Sequence, residues 1–449
     1  MYKLILTIRY LLRRRITHFA IVAVALCVFI VVIVMTVMSG LVGNFKQKNH
    51  AFVGDCVVGT PSLVGFPYYE EFVKILEQAE FVQGASPVVK NYALLSTPDG
   101  RSTRPGVEIL GIDPARHSRT TSFPQTLHYH SNQPDLAFRP VYDPNVLGCV
   151  LGIDMVLPRS VQGRYVHPDG PVRGSITLTC FPLNARGAPA KAGTNLAETQ
   201  VFYYSDDALT GIARVDDNLV YIPLEQAQLL CMGGTEKRVN AIHIKFRPGV
   251  RLSEGRARVA DLWRQFKQGK ESTPSRFLLD TVTVQDWKEY RRASIAPMEK
   301  EELLLSLLFI LVGFTTVFIV FVVFYMIIAN KRKDIGVLKS VGASNLSILA
   351  LFEGFALAVG LAGSLVGSFL GGLFLAKINS IEHWLFEHFH FQLWDRTIYA
   401  IGDIPNRVEP GVLAVIIGCA VASCLVGALI PSYLAVRLRP VETLHAGRM

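Results

Sequence analysis

The sequence lacks the common motifs for catalysis and nucleotide binding. It has no GxxxxGK[ST] loop to hold phosphates, no HExxH zinc motif, no GxSxG nucleophile motif and no paired carboxylates in a catalytic setting. These absences argue against the usual ATPase, metalloprotease and serine hydrolase sites, and they predict that the chain is not an enzyme. Any energy that the protein uses must then come from a partner chain.

Cysteine is sparse, and its spacing excludes the common zinc and redox motifs. None of the seven cysteines forms a CxxC pair, and none stands at zinc spacing from a histidine. Three lie in apolar runs, and the other four, in the polar part of the chain, allow one or two disulfides with three complete pairings. Small buried hydrophobic side chains are the alternative role for these residues. The four are Cys56, Cys149, Cys180 and Cys231.

Residues 113–144 lack any sustained periodicity. They are rich in proline, histidine, serine and arginine, which predicts a long loop or insertion. His128-Tyr129-His130 offers two imidazole groups, but no third metal ligand follows at a spacing typical of zinc sites. We therefore expect these histidines, and His117 before them, to lie in a surface loop rather than at a metal ion.

Charge is low, at 18% of the 449 residues, and the formal net charge of +9 has no basic stripe interleaved with aromatic residues. This pattern argues against a nucleic-acid partner. Half of the residues are hydrophobic, and they cluster in four runs, each long enough to cross a hydrocarbon layer of about 30 Å. The runs are Phe19 to Leu41, Leu303 to Ile328, Leu346 to Phe374 and Gly411 to Leu434.

The spacing of the runs predicts an α-helical membrane protein with four transmembrane helices in a 1 + 3 arrangement. A large mixed α/β extracytoplasmic domain separates the first helix from the second. The predicted boundaries, in chain order, are a cytoplasmic segment 1–18, the first span 19–43, the outer domain with its stalk 44–298, the second span 299–330, a cytoplasmic helix 331–345, the third span 346–375, an outer loop 376–410, the fourth span 411–434 and a cytoplasmic tail 435–449.

The outer domain shows both strand and helix periodicity. Alternating residues predict strands at 175–181, 218–222 and 241–246, and amphipathic patterns predict helices at 72–78, 223–230 and 252–266. We also expect residues 283–300 to form a helical stalk that runs into the second span, and residues 43–49 to extend the first.

Basic residues close to the span ends predict the orientation. Clusters before the first span, between the second and third, and after the fourth belong to the cytoplasmic side. Both termini are then cytoplasmic. A cleavable signal peptide is the alternative for the first run, but the run is longer than a typical signal core, so we favour a retained helix. The clusters are Lys3, Arg9, Arg13, Arg14 and Arg15; Lys331, Arg332, Lys333 and Lys339; and Arg437, Arg439 and Arg448.

The cytoplasmic segment NKRKDIGVLKSVGASNLS, residues 330–347, predicts a short amphipathic helix. Its apolar stripe of Ile335, Val337, Leu338 and Val341 ends at Gly342. Such a helix at the inner membrane face suits docking into a groove of a soluble protein. A solvated loop and an interfacial helix that touches only lipid headgroups are the alternatives.

Two motifs give the chain a specific resemblance. The stretch KRKDIGVLKSVGASNLSILALFEG resembles the signature of FtsX/MacB-type ABC transporter permeases, although Asp334 stands where that family more often has glutamate. The C-terminal LIPSYLAVRLRPVETLHA resembles the closing motif of the same family through Pro431, Pro440 and Glu442. Segments such as LGCVLGIDMVLP and NLVYIPLEQAQLL are most similar to the LolC/LolE branch, the permeases of the lipoprotein-releasing system.

The resemblance implies a mechanism, partners and a location. Two permease chains, alike or different, would bind two cytoplasmic ATPase subunits, whose closure pushes the coupling helices and moves the outer domains (mechanotransmission). Membrane lipids, a periplasmic carrier or a lipoprotein cargo are further expected partners, no cofactor is implied, and the location is the bacterial inner membrane. The coupling residues carried over are Asp334, Ile335, Gly336, Leu338, Lys339, Gly342 and Ala343.

Polar and small residues inside the runs are further candidates. Glu353 is the one acidic residue well inside an apolar run, and we hypothesise that it pairs with Lys331 or Arg332, or faces the ATPase. Gly363, Gly367 and Gly371, four residues apart, allow close approach of another helix. Packing within the subunit and a subunit interface are equal alternatives for these glycines.

Release or export of a lipid-anchored or lipid-like cargo is the favoured function. The alternatives are an FtsX-like signalling permease that regulates a cell-wall hydrolase, a split MacB-like efflux permease, and a membrane-anchored enzyme. The large outer domain favours transport over signalling, since the signalling relatives tend to have a small one.

Overall fold

The computed structural model describes residues 15–97, 103–158, 165–168, 170, 172–190, 196–233, 237–389 and 404–437, with side chains from residue 18 onward. The chain divides into two compact units. The first comprises residues 1–43, 297–394 and 403–449, and the second comprises residues 44–296 and 395–402.

The described part begins with a 39-residue helix, α1 (Arg15–Val53). Valine, isoleucine, alanine and phenylalanine occupy all of its sides up to residue 38, and no proline interrupts it. A helix that is apolar all round belongs in a membrane or a large core. The expected extension of the first span through residues 43–49 is confirmed, since the helix continues to Val53.

Nine strands of the second unit form a single sheet, in the order β3-β7-β4-β6-β5-β2-β8-β1-β9, with an additional pairing of β3 with β2. This additional pairing closes six strands (β2, β3, β7, β4, β6 and β5) into a ring, from which β8, β1 and β9 extend. The strands are β1 (Cys56–Gly59), β2 (Val82–Ser96), β3 (Thr103–Ile112), β4 (Gly148–Gly152), β5 (Ser175–Cys180), β6 (Glu198–Ala208), β7 (Leu219–Pro223), β8 (Ala241–Phe246) and β9 (Thr283–Asp286).

The 15-residue strand β2 joins the ring to the extension. Its first half pairs with β8, its second half pairs with β3, and its last three residues also pair with β5. A strand has two edges of hydrogen-bonding groups, and a long edge can pair with two strands in succession. Strand β2 can therefore pair with three neighbours.

Short helices cover the sheet. They are α2 (Tyr69–Gln78), α3 (Pro114–Thr120), α4 (Phe123–Thr126), α5 (Ile153–Val156), α6 (Ala213–Asp216), α7 (Leu224–Met232), α8 (Leu252–Gln268), α9 (Arg276–Asp280) and α10 (Trp287–Tyr290), with a 3-10 turn at Pro134–Leu136.

Helices α2 and α8 meet through aromatic rings. The Trp263 ring centroid lies 4.8 Å from that of Phe72 and 5.6 Å from that of Phe66. Val259, Trp263 and Phe266 of α8 are buried and share one side of the helix by their three- and four-residue spacing. This apolar side anchors α8 in the core of the second unit.

The remaining helices are α11 (Arg292–Asn330), α12 (Arg332–Ser340), α13 (Asn345–Phe389) and α14 (Pro410–Arg437). Within the described residues, four helices are long and apolar enough to cross a membrane: α1, α11, α13 and α14. The order along the chain is therefore one such helix, the α/β unit, and three more such helices.

Most of the predicted elements are present with shifted ends. The strand at 241–246 is confirmed with the same bounds, and the other two strands and the three helices differ by one to three residues at their ends. The helical stalk predicted at 283–300 is wrong for its first part, although residues 292–300 are helical and run into the second long helix of the chain as expected. Thr283–Asp286 forms β9, which pairs with β1, and helix α11 begins only at Arg292.

Helix α11 runs through Pro297. Proline has no N–H, so the Ala293 carbonyl one turn earlier lacks its usual helical donor at this position.

The prediction of a long loop at 113–144 is wrong for its first part. Asp113 caps α3 by accepting hydrogen bonds from the N–H groups of Ala115 (3.0 Å) and Arg116 (3.3 Å), and Pro114 occupies the first helical turn. Asp-Pro is a standard helix start, so the sequence did carry this signal.

The surface placement of the histidines is also wrong for two of them, since His117 is 1% exposed and His130 is 9% exposed. The backbone of His128-Tyr129-His130 donates three hydrogen bonds to the Asp206 carboxylate, and the His130 Nδ1 atom lies 3.1 Å from Asp206 Oδ2. The segment thus wraps a buried carboxylate. Across the described ranges, no group of three or more histidine, cysteine, aspartate or glutamate side chains is placed to hold a metal ion.

Candidate functional site

The predicted coupling segment folds as helix α12. Ile335 and Gly336 are buried in the first unit, whereas Val337 is 51% exposed and Val341, just past the helix end, is 83% exposed. The predicted apolar stripe therefore divides into one side chain that anchors the helix and two that face outward. Leu338 is only partly buried.

Gly342 ends the segment as the sequence predicts. Its φ of +95° is left-handed, its N–H donates to the Lys339 carbonyl (3.0 Å), and the Ala343 N–H donates to the Leu338 carbonyl (3.0 Å). This pair of bonds is a Schellman motif, which favours glycine because any Cβ strains a positive φ. The cap fixes the direction in which the chain leaves α12 toward α13.

Two charged residues of α12 have partners inside the chain. Asp334, in the first helical turn, forms an ion pair with Lys331. The Lys339 ammonium donates to the Val436 carbonyl at the end of α14. A positive charge is favourable there because the last carbonyls of a helix lack intrahelical partners. Lys339 thus connects the two sequence regions that carry the family resemblance.

The C-terminal motif is described only in part. Pro431 is buried inside α14, whereas Pro440 and Glu442 lie outside the described residues. Ser432, beside Pro431, lies close to the Glu353 carboxylate. The hypothesised ion pair of Glu353 with Lys331 or Arg332 stays a prediction.

The three glycines of α13 face α1 of the same chain. A Cβ atom at Gly363 would lie 2.8 Å from Val24 Cβ, one at Gly367 would lie 2.4 Å from the Ala25 carbonyl oxygen, and one at Gly371 would lie 3.1 Å from Val32 Cγ1. These contacts support the alternative of packing within the subunit, because the close approach is already used by α1.

An apolar groove lies among α1, α11 and α14, entirely within the first unit. Its volume is about 460 Å³. Small residues, including Gly313, Ala420 and Ser423, leave the space open, and Val28, Met35 and Phe309 add apolar surface. Sequence reasoning missed this groove. The only sequence signal was the small residues on α11 and α14, and their facing positions depend on the tertiary packing.

Comparison with known proteins adds one family match, two related sequences and one related structure. Residues 306–440 match the FtsX-like permease C-terminal family. The chain is 21% identical to the lipoprotein-releasing system transmembrane protein LolC of Neisseria meningitidis over 435 residues, which are 96% of this chain and 94% of that protein. It is also 32% identical to an uncharacterized ABC transporter permease of Methanocaldococcus jannaschii over 127 residues, 27% of each chain.

Among solved structures, the periplasmic region of MacB from Actinobacillus actinomycetemcomitans aligns with 54% of this chain and 94% of that one, at 10% identity and a TM-score of 0.31. The family match covers α12 and most of the long helices that follow the α/β unit, and the LolC match extends over nearly the whole chain. The resemblance found in the sequence is thereby confirmed: residues 306–440 match an FtsX-like permease domain, and the chain is similar to LolC over nearly its whole length.

Proposed function

We propose that this permease couples ATP hydrolysis by a separate cytoplasmic ATPase to movement of its α/β unit outside the membrane, and that it serves the release of lipid-anchored or lipid-like cargo. The protein acts in the bacterial inner membrane with both termini in the cytoplasm. Two ATPase subunits and a second permease chain complete the transporter.

The observation that carries this proposal is the outward-facing apolar pair on the coupling segment. Val337 and Val341 are exposed, while Ile335 and the Gly342 cap hold the same short segment in place. Exposed valines on a short, anchored segment suit a groove on a soluble partner, because burial of each side chain gains about 1.5–3 kcal/mol.

Chain continuity supplies the route for movement. Helix α1 contributes residues to both units, as does α11, and α11 is followed after Lys331 by α12. A helix transmits displacement along its axis because its hydrogen bonds resist stretching. A push on α12 would therefore reach the α/β unit through α11.

The apolar groove supports a lipid-like cargo. About 460 Å³ falls within the range of about 300–1,000 Å³ that is typical of small-molecule sites. Its apolar lining suits an acyl chain rather than a polar ligand. Since membrane lipid is equally apolar, close packing rather than the hydrophobic effect must hold such a chain.

The test replaces Val341 with aspartate. A charge on this exposed side chain should leave the permease folded and reduce the co-purifying ATPase subunit by about tenfold or more, since a buried unpaired charge costs several kcal/mol. Quantitative co-purification from detergent-solubilised membranes measures the effect.

Ser340→Asp is the matched control. It adds the same charge one residue away, at an exposed polar position. Equal ATPase recovery with Val341→Asp and with the unaltered chain would contradict the docking role of this segment.

A further inference from the structure

Two buried cysteines of the α/β unit lie in contact with each other. The Sγ atoms of Cys180 and Cys231 are 3.6 Å apart, and both residues are 0% exposed. All seven cysteines have free thiols in the structure. The two residues are 51 positions apart in the chain, so their contact is a product of the tertiary fold.

The backbone holds both cysteines in place. Cys180 is the last residue of β5 and pairs with Glu198 of β6, while Cys231 lies in the last turn of α7. The Leu183 N–H donates to the Cys231 carbonyl (3.2 Å), which ties the chain after β5 to the end of α7. The Arg238 guanidinium donates to the Leu183 carbonyl (2.7 Å). The contact between the two thiols is therefore built into a hydrogen-bonded corner.

The other two cysteines of this unit provide an internal comparison. Cys56 is in β1 and Cys149 is in β4, and five strand-to-strand steps separate β1 from β4 in the sheet order. Neighbouring strands lie about 4.8 Å apart, whereas disulfide-linked Cα atoms lie at most about 6.8 Å apart. Both residues are fully buried in separate strands, and neither forms a disulfide within the described residues.

We propose that Cys180 and Cys231 form a structural disulfide that fastens α7 to β5. This inference rests on the proposed function in one respect, namely that the α/β unit lies outside the cytoplasm, where disulfides persist. This bond is part of one of the three complete pairings, but the second disulfide of that pairing would join Cys56 to Cys149, which lie too far apart. The unit therefore has one disulfide, and Cys56 and Cys149 remain thiols.

The chemistry is a thiol–disulfide exchange with an extracytoplasmic oxidant of the dithiol/disulfide oxidoreductase class. One cysteine thiolate attacks the oxidant's disulfide and forms a mixed disulfide, and the second thiolate displaces the oxidant's sulfur. The pair loses two electrons and two protons, and the oxidant leaves as a dithiol.

Burial determines when the reaction occurs. No oxidant reaches a fully buried thiol, and the hydrogen bond to Cys180 together with burial raises the pKa of the Cys231 thiol well above its ordinary value. The thiolate is the reactive form, so the folded dithiol reacts slowly. The disulfide must therefore form during folding, before α7 closes over β5.

The experiment counts thiols in the full-length chain. Cells that express the protein are quenched with acid, the protein is denatured, and free thiols are alkylated with N-ethylmaleimide before or after reduction. Five of the seven cysteines should react without reductant and all seven after it. Mass spectrometry of a non-reduced digest should show one cross-linked peptide pair that contains Cys180 and Cys231.

Variants separate this disulfide from other pairings. Cys180→Ser and Cys231→Ser should each remove the cross-linked pair, whereas Cys56→Ser and Cys149→Ser should keep it. Reductant should lower the unfolding temperature of the unaltered chain by several degrees, since a closed loop of about 50 residues restrains the unfolded state. The Cys180→Ala/Cys231→Ala double variant should show no such shift.

Seven reactive thiols without reductant would overturn the proposal. A cysteine placed at the exposed Glu271 then shows which assumption failed. If a membrane-impermeant maleimide labels Glu271→Cys in spheroplasts while Cys180 and Cys231 remain thiols, the unit is outside and the disulfide alone is wrong. If Glu271→Cys is protected, the orientation in the proposed function is wrong as well.

Discussion

At the scale of single residues, the spaced glycines of α13 show how one missing side chain positions a helix. Gly367 is the tightest of the three, since its backbone lies against the Ala25 carbonyl of α1. The apolar surroundings give little hydrophobic driving force between helices, so close van der Waals contact has to hold α1 against α13.

Gly367→Ala should therefore destabilise the folded chain. The added Cβ would lie 2.4 Å from a backbone oxygen, so α1 must move away, at a cost of about 1–3 kcal/mol. Gly372→Ala is the matched control, because no atom lies within 4 Å of its added Cβ. Thermal unfolding in detergent, followed by size-exclusion chromatography, compares them. Equal stability of the two variants would refute the contact.

Two buried histidines of the α/β unit make its stability depend on pH. His117 Nδ1 lies 3.1 Å from Ser86 Oγ, and burial lowers the pKa of His117 to about 3. Its ring centroid is 5.8 Å from that of His243, whose pKa burial also lowers. Unfolded histidine has a pKa of about 6.5. Below that pH, histidine binds a proton in the unfolded chain but not in the folded unit, so protonation favours unfolding.

The free energy of unfolding is therefore unaffected by His117 titration above about pH 6.5. As the pH falls from there toward about 3, it decreases by up to about 1.4 kcal/mol per pH unit. His117→Gln removes the titrating ring, so the loss of thermal stability between about pH 7 and pH 5 should be smaller than in the unaltered chain. Ser86→Ala, which keeps the ring, should retain the full slope. Identical slopes in the unaltered chain and His117→Gln would rule out this source.

At the scale of elements, the long helices leave a groove where side chains are small. Gly313 of α11 lines it, and a Cβ added there would meet no atom closer than 3.9 Å, at Ser423 Oγ. A larger side chain at this position projects into the groove rather than into a neighbouring helix. A substitution at Gly313 can therefore fill the groove without disturbing the helix packing.

Gly313→Phe should block cargo while leaving the assembly intact. If an acyl chain occupies the groove, this variant should reduce release of a lipid-anchored protein from proteoliposomes by tenfold or more, because a phenylalanine ring takes the same space. Gly418→Phe, at an open position outside the groove lining, is the control. Unchanged release by Gly313→Phe would contradict the cargo site, and loss of ATPase co-purification would reveal misassembly instead.

At the scale of the whole molecule, the proposed mechanism needs the coupling segment and the α/β unit on opposite sides of the membrane. Basic residues around α12, including Lys331, Arg332 and Lys333, predict a cytoplasmic position for this segment by the positive-inside rule. Ser340 is exposed at the end of α12 and provides a reporter position.

Ser340→Cys should resist a membrane-impermeant maleimide in intact spheroplasts and react after permeabilisation. The unaltered chain, processed in parallel, gives the background from native cysteines. Labelling of Ser340→Cys before permeabilisation would place the segment outside, where a cytoplasmic ATPase cannot reach it.

Features that depend on local order could be predicted from the sequence. Four long apolar runs predict four long helices because a helix satisfies its own backbone hydrogen bonds inside a membrane. Gly342 predicts the end of α12 because glycine adopts a positive φ without strain. The alternating residues 241–246 predict β8 for the same reason, since periodicity is read from neighbours in the chain.

Which residues contact each other across the chain depends on tertiary packing. Strand β2 contains Gly84 and Pro87, which weaken its local signal, and it became a strand because three other strands pair with it. The contact of Gly367 with α1, the burial of His117 and the contact of Cys180 with Cys231 join residues from distant parts of the chain. Such contacts depend on how whole elements pack. A single sequence shows which residues are present but not which of them meet.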